Sequence, residues 1–241
     1  MNDRLSRIQM LVGESAMKRL ETLRVAIFGV GGVGSVCAES LVRSGISNMT
    51  LVDSDCVCES NINRQLPAFV STVGRPKVEI LSERFLDINP YAKIRAVKAF
   101  YSPESRENFD FSQFDLVVDA IDSVPCKIDL LATAFDAHAK VFCSLGAAGK
   151  LDPTLVRADS IWKTKGCALG KLVRSGLRKR LFSGDFMAVY SEERPMSQAF
   201  TELVDSINDV GKKNLGSAMP VTAAFGLTLS SLVIRHAAGL L

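Results

Sequence analysis

The chain has 241 residues, 47% of them apolar and 23% charged, with a formal net charge of +3. That length fits one large or two small domains with a buried core, and the composition is ordinary for a soluble α/β protein. The polar N-terminus MNDRLSRIQM argues against a signal peptide. Ser, Thr, Pro and Gly interrupt the most apolar stretch, residues 215–234, which argues against a membrane span.

Strands alternate with helices as far as residue 150. Short apolar runs such as RVAIFG and MTLVD are typical of buried parallel strands, and the segments between them have helical spacing. The pattern predicts helices at 8–22, 33–45 and 75–89 and strands at 24–29, 49–53, 93–99, 114–120 and 139–145. This order predicts an α/β fold with a doubly wound, Rossmann-like and mostly parallel sheet.

The pattern changes after Gly149. The later segments predict a strand of a different, antiparallel part at 152–160, a basic helical segment at 163–180, a strand at 186–193, a mobile polar loop at 192–216 and a final apolar helix at 216–238. We therefore expect a single domain over residues 1–241, with a catalytic insertion. Within it, about 20–150 would bind a nucleotide, and about 151–241 would bind the substrate and contribute to a dimer.

The segment at 163–180 contains seven Lys or Arg and no acid, and without it the rest of the chain has a net charge of −4. One concentrated basic segment on a mildly acidic body indicates a polyanionic partner. A solvated helix face is the alternative interpretation, because Leu169, Leu172, Val173 and Leu177 can share one side of the predicted helix.

The six cysteines form no C-x-x-C pair, which argues against a structural zinc site. In a chain without a secretion signal they are expected to be reduced thiols. A cytoplasmic protein is therefore predicted, with peripheral association at a membrane left open.

VAIFGVGGVGS contains the pattern G-x-G-x-x-G at Gly29, Gly31 and Gly34, between a predicted strand and a predicted helix. Glycine lets backbone N–H groups approach phosphate oxygens, and the helix N-terminus adds partial positive charge. Asp53 ends the next predicted strand, where a carboxylate would accept hydrogen bonds from ribose hydroxyls. The motif predicts a dinucleotide or adenylate site without distinguishing the two.

Polar side chains after Asp53 favour cleavage of ATP over binding of NAD. Asn61 and Arg64 follow closely, and Lys77 begins the next predicted helix, so these groups can reach a triphosphate. Asp122 follows a predicted strand at the edge where ligands bind, and its carboxylate can hold Mg²⁺. An NAD enzyme would need a nicotinamide pocket and a proton donor, and neither histidine of the chain lies in a recognisable catalytic context.

The series G-x-G-G-x-G, D-x-D, N-x-N-R-Q, a lysine and D-A-I-D-S, over about residues 4–150, resembles the ubiquitin-activating-like adenylating enzymes of the ThiF/MoeB/HesA type. The resemblance implies an ATP site formed by Gly29, Gly31, Gly32, Gly34, Asp53, Asp55, Asn61, Arg64 and Lys77, with Asp122 as the Mg²⁺ ligand. Arg7 resembles an arginine that reaches into the neighbouring subunit's ATP site, which implies a homodimer. Arg7, Arg64, Lys77 and Asp122 would then be the catalytic residues.

The later motifs VGRPKVE, INP, GAAGKLDPT, KT-x-x-x-x-L and VYSEE extend the resemblance to the enzymes that dehydrate threonylcarbamoyladenosine beside the anticodon of tRNA. The resemblance implies that ATP converts the threonyl carboxylate into an acyl adenylate, which the neighbouring carbamoyl group attacks to close a ring. It also implies that the basic segment holds tRNA through Lys163, Lys165, Lys171, Arg174, Arg178, Lys179 and Arg180. A monovalent cation, Na⁺ or K⁺, and a sulfur-relay protein partner are further implications.

Some members of this branch carry a cysteine before the last helix, whereas residues 208–221 here contain none. If Gly211 occupies that place, a covalent thiol step there is excluded, and Cys167 is the nearest alternative thiol. Ring closure within the substrate needs no enzyme nucleophile, so the interpretation stands without one.

Three other functions remain as alternatives: an adenylyltransferase for the C-terminal glycine of a ubiquitin-like sulfur carrier, a non-catalytic nucleotide-binding scaffold, and an NAD-dependent oxidoreductase. The first often carries two C-x-x-C pairs, which this chain lacks. A scaffold would have no reason to keep Arg7, Asn61, Arg64, Lys77 and Asp122 together.

Overall fold

The structure is a computed structural model that describes residues 3–196 and 216–241. Its helices are α1 (Ser6–Thr22), α2 (Gly34–Arg43), α3 (Lys77–Ile88), α4 (Val124–Asp136), α5 (Ala168–Lys179) and α6 (Met219–Ala237). Its strands are β1 (Arg24–Phe28), β2 (Asn48–Val52), β3 (Lys93–Val97), β4 (Leu116–Asp119), β5 (Lys140–Ser144), β6 (Val156–Ser160) and β7 (Met187–Ser191). The predicted alternation of strands and helices is confirmed.

The seven strands form one sheet in the order β3-β2-β1-β4-β5-β7-β6. All neighbouring pairs are parallel except β6 and β7. The chain winds outwards from β1 to β3 and then returns to place β4 on the other side of β1. In a doubly wound sheet, the carboxyl ends of the strands at such a reversal form the crevice where ligands bind.

Helices cover both faces of the sheet, so the inner strands β1, β2, β4, β5 and β7 are mostly buried. One cluster of buried side chains joins α1, α2, α3 and α6 to one face, and a second joins α4 and α5 to the other. The final helix α6 contributes Val221, Phe225 and Leu229 to the first cluster, all fully buried. It is therefore a core helix, and none of the described helices is long and apolar enough to cross a membrane.

The second half of the chain, after about residue 150, differs from the prediction in how its strands pair and where its helix begins. The strand predicted in a separate part, β6, instead pairs antiparallel with β7 and completes the edge of the same sheet. The basic segment becomes helical only at Ala168, because Gly166 has a φ of 71° and Cys167 caps the helix. The predicted mobile loop at 192–216 lies mostly at 197–215, outside the described residues.

Candidate active site

The turn between β1 and α2 leaves no room for side chains at its two ends. Gly29 has a φ of 83°, and a Cβ there would lie 2.7 Å from the Ala120 carbonyl oxygen. A Cβ on Gly34 would lie 1.8 Å from the Gly29 carbonyl oxygen. The Ser35 N–H in the first turn of α2 donates to the Gly31 carbonyl at 3.1 Å, and Val33 at the N-cap offers no side-chain oxygen to this turn, so the helix N-terminus suits an anionic ligand.

Asp53 follows β2 directly and is bonded to this glycine turn. Its carboxylate accepts the Val30 N–H at 2.8 Å and the Asp55 N–H at 2.9 Å. Two backbone donors thus fix the carboxylate beside the turn, at the position predicted for the group that accepts ribose hydroxyls.

The N-x-N-R-Q segment lies over the same turn. The Arg64 side chain passes 3.3 Å from the position of a Cβ on Gly32, and buried Gln65 lies beside Gly31. The Arg64 guanidinium donates to the Ser60 carbonyl and the Asn63 amide oxygen, both at 2.9 Å. Within the described part of the chain these acceptors are neutral, so the positive charge of Arg64 is available to a phosphate.

Asn61 and Lys77 have local partners. The Asn61 amide oxygen accepts the Cys58 N–H at 3.2 Å, which closes a turn at the start of the N-x-N-R-Q segment. Lys77 is buried, and its ammonium donates to the Asp55 carboxylate at 2.9 Å. A phosphate that binds Lys77 would therefore share it with Asp55. Asp55 and Lys77, both predicted to bind the nucleotide, thus form one ion pair at the site.

Asp122 lies in the loop between β4 and α4, next to the glycine turn. The Ala120 N–H at the start of that loop donates to the Phe28 carbonyl at 2.8 Å. Asp122 is exposed, and its carboxylate has no hydrogen-bond donor among residues 3–196 and 216–241. The described residues bring no three metal-binding side chains together. One carboxylate suits Mg²⁺, which usually completes its shell with phosphate oxygens and water.

Arg7 lies at the other edge of the sheet. Its neighbour Arg4 donates to the carbonyl of Ile88, the last residue of α3, at 3.1 Å. Leu5 lies 3.5 Å from the position of a Cβ on Gly45, just after α2. The helices α2 and α3 end at the side of the sheet where the parallel strands begin, which is its amino edge. Exposed Arg7 therefore lies near the amino edge, whereas the glycine turn of its own chain lies at the carboxyl edge.

The seven predicted tRNA-binding cations fall into two groups. Four have partners: Arg180 pairs with buried Asp129 at 2.8 Å, Lys165 pairs with Glu192 at 3.0 Å, Arg178 covers the Trp162 ring at 5.4 Å, and Arg174 donates to the Thr164 hydroxyl. Lys163, Lys171 and Lys179 are exposed and form no ion pair with any described residue. These three lysines are the cations most available to a polyanion.

Cys167 has a structural role in α5. Its side chain is buried, and its sulfur accepts the Gly170 N–H at 3.4 Å, capping the helix. This arrangement favours the interpretation of Cys167 as an unreactive thiol.

Sequence reasoning missed the contribution of the final helix to the site. The Asn63 side chain donates to the Ser217 carbonyl at 2.8 Å, and the Thr222 hydroxyl oxygen lies 3.2 Å from the position of a Cβ on Gly32. Both contacts join segments that are far apart in the chain, and an apolar helical pattern carries no signal for them.

Comparison with known proteins agrees with this geometry. The ThiF family model matches residues 5–239. The tRNA threonylcarbamoyladenosine dehydratase of Bacillus subtilis is 37% identical over 95% of this chain and 90% of that protein. A crystal structure of the E. coli tRNA N6-threonylcarbamoyladenosine dehydratase in complex with ATP superposes with a TM-score of 0.87 at 30% identity, over 98% of this chain and 94% of that one.

A sulfur-carrier type of relative matches less of the chain. The molybdopterin-synthase adenylyltransferase of E. coli is 36% identical, but over only 58% of this chain and 54% of that protein. The dehydratases, in contrast, match the basic half as well as the nucleotide half. The chain therefore belongs to the ThiF family, in the group of the tRNA threonylcarbamoyladenosine dehydratases.

Proposed function

We propose that this protein is an ATP-dependent tRNA threonylcarbamoyladenosine dehydratase. The observation that carries the proposal is the gathering of Asp53, Arg64, the Asp55–Lys77 pair and Asp122 around one glycine turn. Two cations, three carboxylates and a helix N-terminus at the carboxyl edge of the sheet suit a nucleoside triphosphate with its metal ion. The likeness to dehydratases over the whole chain supports the choice of tRNA as the second substrate.

The reaction would proceed in two displacements. The threonyl carboxylate attacks the α-phosphorus of ATP, pyrophosphate leaves, and an acyl adenylate forms. The carbamoyl group then attacks the acyl carbon, AMP leaves, and a ring closes with net loss of water from the nucleoside. Arg64 offsets the charge that develops on the phosphates, and Mg²⁺ held by Asp122 would neutralise the leaving pyrophosphate.

The proposed enzyme is a homodimer with sites completed by the partner subunit. Met10 and Leu11, close to Arg7 on α1, are 77% and 83% exposed. Apolar side chains this exposed at one place favour a surface that a second copy covers. Arg7 at the amino edge cannot serve its own glycine turn, so it would serve the partner's.

In the same proposal, about 20–150 bind ATP and about 151–241 bind tRNA and contribute to the dimer. The monovalent cation and the sulfur-relay partner stay predictions.

Pyrophosphate release from ATP tests the proposed function. We expect release to be slow with the protein alone and to rise when tRNA carrying threonylcarbamoyladenosine is added. Mass spectrometry of the digested tRNA should show the modified nucleoside lighter by one water. Stimulation by a ubiquitin-like sulfur carrier, without stimulation by the modified tRNA, would contradict the proposal and favour the adenylyltransferase.

Replacing Lys163, Lys171 and Lys179 together by alanine should weaken tRNA binding and flatten its salt dependence. If each lysine contacts a phosphate, the slope of log K against log salt should fall by about 2 to 3. Binding isotherms at several salt concentrations measure this slope. The matched control removes Lys93, Arg95 and Lys140, three exposed cations at or near the amino edge of the sheet, and should change the slope much less. Equal slopes for wild type and the first variant would favour a solvated helix face instead.

A further inference from the structure

A buried ion pair lies directly below the loop that carries Asp122. Asp119 is the last residue of β4, and Lys127 lies in the first turn of α4. Both side chains are fully buried, and the Lys127 ammonium lies 2.5 Å from the Asp119 carboxylate. Buried ion pairs recover the cost of their dehydration only through good geometry and further hydrogen bonds. Neither group is placed to touch ATP, so the nucleotide does not account for the pair.

The remaining bonds of the pair join two strand ends. The Lys127 ammonium also donates to the carbonyl of Ser144, at the end of β5, at 2.9 Å. The Cys143 thiol donates to the Asp119 carboxylate at 3.1 Å. Burial opposes the charge of the ammonium, but the Asp119 carboxylate outweighs burial and raises the pKa of Lys127. Through these bonds the pair joins β4, β5 and α4.

The pair is bonded directly to the start of the loop at 120–123, and its lysine lies on the helix that follows the loop. At its start, the Asp119 carboxylate accepts the Ile121 N–H at 3.2 Å. At its end, the Ser123 carbonyl accepts the backbone N–H of Lys127 at 2.8 Å, in the first turn of α4, so the ammonium acts on this end only by holding α4 against β4 and β5. Exposed Asp122 between these points has no hydrogen-bond donor among the described residues, so its placement depends on its neighbours.

We infer that Lys127 is a positioning residue for Asp122: bonded to Asp119 and Ser144, it holds the 120–123 loop so that the Asp122 carboxylate faces the glycine turn. This inference rests on the proposed function, in which Asp122 holds Mg²⁺. Without the Asp119–Lys127 pair, the loop at 120–123 would occupy several conformations, and only a fraction of them would place Asp122 so that it can bind Mg²⁺. The apparent affinity for Mg²⁺ falls in proportion to that fraction.

The test removes both charges at once, so that no buried charge is left unpaired. In the double variant Asp119→Asn/Lys127→Met, we expect the Mg²⁺ concentration for half-maximal pyrophosphate release to rise about tenfold. Amide hydrogen exchange at residues 120–123 should be faster as well. Tyr101→Phe is the matched control. It removes a buried hydrogen bond of 2.8 Å from the Tyr101 hydroxyl to the carboxylate of Asp129, which lies on α4 like Lys127. It should leave both readouts unchanged, even if it lowers the unfolding temperature as much.

A double variant that folds, with wild-type Mg²⁺ dependence and wild-type exchange at 120–123, would overturn the inference. If the double variant does not fold, Cys143→Ala removes only the thiol donor and keeps both charges. We then expect about a threefold rise in the half-maximal Mg²⁺ concentration, and no change in that value or in exchange would overturn the inference. Should the wild type release no pyrophosphate with modified tRNA, the proposed function fails, and exchange at 120–123 alone decides on the positioning role.

Discussion

Asp122→Ala is expected to lower tRNA-stimulated pyrophosphate release by at least about a hundredfold, without unfolding the protein. The carboxylate is exposed and bonded to no described donor, so its removal should change the free energy of unfolding by only about 0.5 kcal/mol. In the proposed enzyme, however, it is the protein's own ligand for the Mg²⁺ that neutralises the leaving pyrophosphate. Initial rates across a Mg²⁺ titration, with urea unfolding alongside, measure both quantities.

Asp136→Ala is the matched control for that experiment. Asp136 is also exposed and lies at the last position of the same helix, α4, far from the glycine turn. Its removal takes away the same charge and should leave the rate unchanged. A wild-type rate in Asp122→Ala at every Mg²⁺ concentration would show that another group holds the metal or that none is needed.

The parts of the candidate site that follow from sequence alone are those set by neighbours a few residues away. A strand that ends in G-x-G-x-x-G and leads into a helix can form few other turns, and Asp53 is bonded to that turn through Val30. The buried strands are equally local, since each is a short apolar run. The residues that form the turn and the placement of Asp53 therefore follow from short stretches of sequence.

The parts that the sequence does not predict depend on partners distant in the chain. Arg180 looks like any other cation of the basic segment, but its carboxylate partner Asp129 lies on a different helix. Strand β6 looks like the start of a new part, because its partner β7 follows only after α5. Lys127 and Asp119 are charged residues that a pattern of polarity assigns to the surface, yet both are fully buried. Pairing of this kind is visible only once the sheet is assembled.

The position of Arg7 shows how the fold and the resemblance combine in the proposed site. The resemblance predicts that Arg7 reaches into the ATP site of the neighbouring subunit, and the fold places Arg7 at the amino edge of the sheet, away from its own glycine turn. In the proposed enzyme, Arg7 would act from that edge on the ATP of another subunit. The location of Arg7 therefore supports the proposed dimer.

Gly34→Ala is expected to destabilise the protein by about 3 kcal/mol and to abolish ATP binding. The new Cβ would lie 1.8 Å from the Gly29 carbonyl oxygen, so the backbone of the glycine turn must open. An open turn removes the close N–H groups and displaces the Val30 N–H that Asp53 accepts. Urea unfolding measures the change in stability, and calorimetric titration of the still-folded protein with ATP measures the loss of binding.

Alanine variants at two other glycines are controls that distinguish this backbone clash from the ordinary effects of adding a methyl group. Gly74 has a φ of 88° and no atom within 4 Å of its Cβ position, so Gly74→Ala should show only the cost of a positive φ, about 1 kcal/mol. Gly216 also has open space there and no positive φ, so Gly216→Ala should be close to neutral. Both controls should keep ATP binding, because neither lies in the turn. Gly34→Ala could instead unfold at the wild-type urea concentration and bind ATP normally. The glycine turn would then accommodate a side chain despite its short backbone contacts, and the close approach of its backbone to phosphate would not be the cause of binding.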